Sequence, residues 1–89
     1  MQQCRNKSDF MLQFDPDRIG IDIYVRDKET HKLAHVGFFD ITRVNGYPLI
    51  PDAMVHKIEK HAQDDFELIE LTNELYDMME EAEENGFYF

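Results

Sequence analysis

Six carboxylates, Glu67, Glu70, Glu74, Asp77, Glu81 and Glu84, recur at spacings of 3, 4, 3, 4 and 3. On a helix those intervals stack the side chains over one another on a single face. From His61 to Phe89 there are ten carboxylates and neither Lys nor Arg, whereas residues 1–60 hold nine acidic and nine basic residues. The formal charge of −10 therefore belongs to one segment. Such a row can coordinate a hard cation or recognise a basic surface. Coordination needs oxygens converging from a loop, and the chain has no D-x-D-x-D-G pattern, so no metal is expected.

Recognition of a basic protein surface is the leading expectation. Ten carboxylates between residues 64 and 84 span roughly 30 Å at helical rise, close in density to the phosphates of one DNA strand, about 3.4 Å apart. A groove on a nucleic-acid-binding protein can therefore accept this helix as a mimic of nucleic acid. The competing expectation is a solvated face that only keeps the chain soluble. Against it, like charges at these spacings cost an isolated helix about 0.2–0.5 kcal/mol per pair. A surface selected for solubility also interleaves Lys with Glu.

Other reactive side chains form no pattern. His56 and His61 are five apart, where two ligands on one helix face would stand four apart. His31 and His35 belong to and follow a loop. Cys4 and Ser8 lie in no nucleophile elbow and beside no patterned His. Four glycines form no phosphate loop. No catalytic residue and no cofactor is expected. The negative charge argues against direct binding of nucleic acid or anionic membranes. A lone cysteine allows no internal disulfide and fits a reducing cytoplasm. No apolar run reaches membrane-spanning length.

The elements that must position these residues follow from periodicity. The 43% hydrophobic content suits a folded chain. Residues 1–8 read as a flexible N-terminus and 9–89 as a single α+β domain. Phe10, Leu12 and Phe14 alternate as a short strand. Ile19, Ile21, Ile23 and Val25 alternate with Gly20, Asp22, Tyr24 and Arg26 in the clearest strand of the chain, one face aliphatic and one polar. Tyr24 on the polar face is a candidate partner anchor, because Tyr is favoured at interface hot spots.

A third strand is expected from Lys32 to about Thr42. Gly37 there marks a bulge that swaps the buried parity and decides which of Phe38 and Phe39 faces the core. Asn45-Gly46 marks a turn, and Tyr47–Ile50, with Pro48, is either an edge strand or an extended connector.

Helices are expected over about 51–62 and 65–84. Asp64 or Asp65 would cap the second, and Asn85-Gly86 would stop it. Its apolar stripe is Leu68, Leu71, Leu75, Met78, Met79 and Ala82, widened by Ile69 and Tyr76. The expected fold is thus a three-stranded antiparallel meander followed by two helices, the last long and acidic and packed on the Ile19–Val25 face. In size, charge and α+β build the chain resembles small phage-encoded inhibitors of host nucleases and CRISPR effectors. The alternative reading is an accessory subunit, or a homodimer joined through sheet edges or the aromatic tail Phe87–Phe89, in which the acidic helix is only solvated.

Overall fold

Alternating apolar residues do form strands in the computed structural model, which describes residues 9–43, 46–63 and 66–86. Strands β1 (Phe10–Asp15), β2 (Gly20–Arg26) and β3 (Leu33–Asp40) make an antiparallel meander in the order β1-β2-β3. Helices α1 (Asp52–His61) and α2 (Leu68–Glu84) follow, giving the expected α+β architecture. The expectations for the N-terminus 1–8, for Asp64 or Asp65 as a cap, for Asn45 in its turn and for the tail Phe87–Phe89 lie outside the described residues.

Strand β2 is central, and its two parities go to different environments. Ile21, Ile23 and Val25 are fully buried beneath the helices, while Asp22, Tyr24 and Arg26 lie half-buried on the other face. Such side chains each contribute about 1.5–3 kcal/mol when removed from water. A register slip of one residue would put all three in solvent, so the alternation sets the register.

The bulge falls where Gly37 predicts it. Ile23 pairs with Gly37 but Tyr24 pairs with His35, leaving Val36 as the extra residue. Val36 is buried at the bulge and Phe39 three residues on, so the buried parity changes there. Phe39 faces the core. Phe38 turns to the open face, where the Arg18 guanidinium lies 4.0 Å over its ring. Two glycines admit these neighbours. A Cβ on Gly20 would stand 2.1 Å from the Phe38 ring, and one on Gly37 would stand 2.8 Å from Met54 Cε of α1.

Strand β3 ends earlier than its sequence pattern suggests. Ile41–Arg43 form a 3-10 turn, with the Asp40 carboxylate accepting from the Thr42 N–H at 3.0 Å and its hydroxyl at 2.6 Å. That local bonding offers the backbone an alternative to the ladder. Residues 46–50 are the connector of the two alternatives, and Pro48 within them is buried.

The helical layer differs from expectation in one respect. Helix α2 does not lie alone across the β2 aliphatic face: it packs against β1, while α1 covers β2 and β3. Ile58 of α1 and Leu71, Leu75 and Met79 of α2 enter the same core. Phe66, just before α2, packs edge-on against Phe10 with centroids 5.9 Å apart. Ile19 sits in the turn before β2 with φ 53°, partly buried, and does not continue the strand. Helix α2 starts three residues later than predicted, after Glu67, whose extended backbone makes no side-chain cap. It stops as predicted: Gly86 takes φ 99°, and its N–H donates to Glu83 O at 3.1 Å.

Candidate functional site

Helix α2 carries seven carboxylates and no cation over 17 residues. Leu71, Leu75, Met79 and Ala82 are buried, so the helix has one rotational setting. At 100° per residue, that setting turns Glu70, Glu74, Asp77, Glu81 and Glu84 outward together, within an arc of about 80°. All five are exposed, as is Glu67 just before the helix. Among the described residues, the ion pairs involve Asp15, Asp22, Asp27 and Asp40 and never a carboxylate of α2. The last turn holds Glu81, Glu83 and Glu84, where the helix dipole favours cations instead. The row is thus a straight, solvent-facing line of negative charge with no internal counter-ion.

Tyr24 lies elsewhere. It stands on the open face of the sheet, away from the helices, with its ring edge-on to His35 at 5.1 Å. His35 Nε2 is 2.9 Å from an Asp22 carboxylate oxygen, and Arg18 donates to both Asp22 and Asp15. Arg18 holds the Asp15 carboxyl below the usual range, the hydrogen bond being the largest cause. The structure therefore joins five of the six acidic positions on one helix face, with Glu67 exposed just before it, and leaves Tyr24 in a separate polar cluster.

Ile69 and Tyr76 do not widen the buried stripe. Ile69 is 74% exposed and Tyr76 39%, on the flank of α2 turned away from the buried Leu71, Leu75 and Met79. Tyr76 instead packs on Tyr47 of the connector, with centroids 5.5 Å apart. The Tyr47 hydroxyl donates to Asn73 Oδ1 at 2.6 Å. Tyr47, 53% exposed, and Leu49, 80% exposed, also line a groove of about 410 Å³ with Phe38, Phe39, Pro51 and Met54. Sequence reading missed this groove. Its one signal was the run of apolar residues around Pro48, in a segment too short to bury them.

A second feature joins positions far apart in the chain. Asp27, in the β2–β3 hairpin, accepts from His61 Nδ1 at 2.6 Å at the end of α1. The Lys28 N–H donates to the His61 carbonyl at 2.9 Å, and Gln63 meets His31 beside it. Asp27 also accepts from the Glu29 and Thr30 N–H groups. Its pKa falls to about 2, first through the His61 hydrogen bond and then through those backbone donors. Among the described residues no three His, Cys, Asp or Glu side chains converge as metal ligands. No described helix is long and apolar enough to cross a membrane.

The fold and its surface define a small α+β domain that presents an acidic helix. No protein-family model, curated protein or solved structure matches the chain.

Proposed function

We propose that this is a small, non-enzymatic interaction protein that docks α2 onto a basic surface of a partner. The observation that carries the reading is the exposed line of Glu70, Glu74, Asp77, Glu81 and Glu84, with no cation in its helix. A 17-residue helix is about 25 Å long, so its seven carboxylates average one per roughly 3.6 Å, near the phosphate repeat of a nucleic-acid strand. The best fit is a nucleic-acid-binding protein or nuclease of the cytoplasm, inhibited by mimicry of its substrate. Seating of α2 on the core supports this, because a preformed helix binds without the cost of ordering its backbone. Association would be fast and salt-sensitive.

The test is retention of partners from the native host's lysate at low and high salt. The triple variant Glu70→Lys, Glu74→Lys and Asp77→Lys would be run beside the wild type. The reading expects a stoichiometric basic protein, released by salt, absent with the variant and inhibited by the wild type in a nucleic-acid-binding assay. Equal recovery by both proteins would sink it and leave the accessory-subunit reading.

A further inference from the structure

We infer that the outer edge of β3 and the groove beside it form a second binding site, one that takes an extended peptide segment as a fourth strand. Among the described residues, strand β3 pairs only with β2. Among the described residues, no backbone hydrogen bond joins its outer side to another segment. A free edge presents a row of unpaired N–H and C=O groups, which another extended backbone satisfies. The usual protections are weak here: β3 contains neither Pro nor Lys, and its bulge lies mid-strand at Val36 and Gly37.

The groove supplies what an edge alone lacks, a pocket for a side chain. Phe38, Phe39, Tyr47, Leu49, Pro51 and Met54 line about 410 Å³ at the C-terminal end of the same strand, and its charged lining, Asp40 and Arg43, is paired at 3.3 Å and cancels. That volume lies within the range of small-ligand pockets and accommodates an aromatic or branched aliphatic side chain. Leu49 is 80% exposed, an apolar side chain already at the groove mouth without a covering layer. Main-chain pairing along β3 would give affinity, and this pocket would give specificity at one position of the incoming strand.

Charge decides the occupant's remaining character. Tyr47 belongs both to the groove and to the ring pair with Tyr76, so the groove adjoins the helix that carries the unpaired carboxylates. The occupant is therefore a basic segment with an apolar anchor. A second copy of this chain would bring another −10 to the same edge. The site is distinct from the acidic row, which only biases the charge of the flanking residues.

The experiment uses a short synthetic peptide alternating Lys with Val and Phe. Its controls are a form N-methylated on the residues facing the edge and an oligo-lysine of the same length. Amide NMR of the whole chain reads which residues respond. The inference expects shifts and slowed exchange over Leu33–Asp40 and the groove. N-methylation should weaken binding at least about tenfold, the loss of one or two net hydrogen bonds. Leu49→Ala, at an exposed position, should weaken the peptide without altering the fold. The triple Lys variant should bind more weakly yet remain sensitive to N-methylation, which separates this site from the proposed helix function. Equal binding of all three peptides would show charge attraction alone and overturn the inference. So would the absence of any response in β3, or dimerisation through β3 without peptide.

Discussion

The two helices solve the same packing problem with opposite surfaces. Helix α1 balances Asp52 and Glu59 against Lys57 and Lys60, and its last residue is tied to the β2–β3 hairpin through Asp27. Helix α2 buries a longer apolar stripe, yet its seven carboxylates face solvent with no partner among the described residues. Both helices are held by burial. Only α1 balances its charges within the helix. Helix α2 tolerates repulsion because Leu71 and Leu75 outweigh it: full burial of one such side chain exceeds the cost of several like-charge pairs. A core can thus hold a surface in a charge state that the isolated helix would resist.

The most damaging way to break that comparison is to remove the anchor. Leu75→Ala should cost about 2–5 kcal/mol by denaturant unfolding, and Ile58→Ala a similar amount in α1. If Leu75→Ala were nearly silent, α2 would not be held by the core. The hairpin tie comes next. Folding lowers the Asp27 pKa from 3.8 to about 2, so its contribution is present above the unfolded value and lost as pH falls through the folded one. Asp27→Asn should lower the melting midpoint at neutral pH and flatten the acid-side loss between 3.8 and about 2. An unchanged acid profile would remove the tie from the account of α1.

The triple Lys variant sharpens the other half. Positions 70, 74 and 77 stay like-charged with one another, but Glu80 and Glu81 gain an opposite-charge neighbour, which should stabilise the fold by about 0.5–1 kcal/mol at low salt, summed over pairs of a few tenths each. Added salt should close that gap, because screening weakens exposed charges. A variant less stable than wild type would mean that the acidic row has partners within the fold. Tyr47→Phe should have the smallest effect, about 0.5 kcal/mol, the lower end for a lost hydrogen bond at an exposed site. It should leave the ring pair with Tyr76 intact, as read by the Tyr76 ring shifts.

Much of this was legible in the residues. Ile21, Ile23 and Val25 announced β2 because only a period of two buries them together. Gly37 announced the bulge, and Asn85-Gly86 the end of α2. The misread positions share a cause. A helical wheel places Ile69 and Tyr76 beside the buried stripe because it measures angle and not what lies opposite. Helix α2 begins at Leu68 and not at 65, because Phe66 has turned toward Phe10 just before it. Asp27 and His61 are 34 residues apart, and no local pattern pairs them.

By itself, then, the sequence determined the strands, the bulge, the two helices and the acidic row, since each follows from short-range periodicity and backbone preference. Tertiary structure alone decided that α1 packs mainly on β2 and β3 and α2 mainly on β1, that Ile69 stays exposed, and that Tyr24 stands apart from the carboxylates. It also made the groove between β3 and the connector. Those outcomes depend on how the layers of limited area share one small core, which is a property of the packed whole.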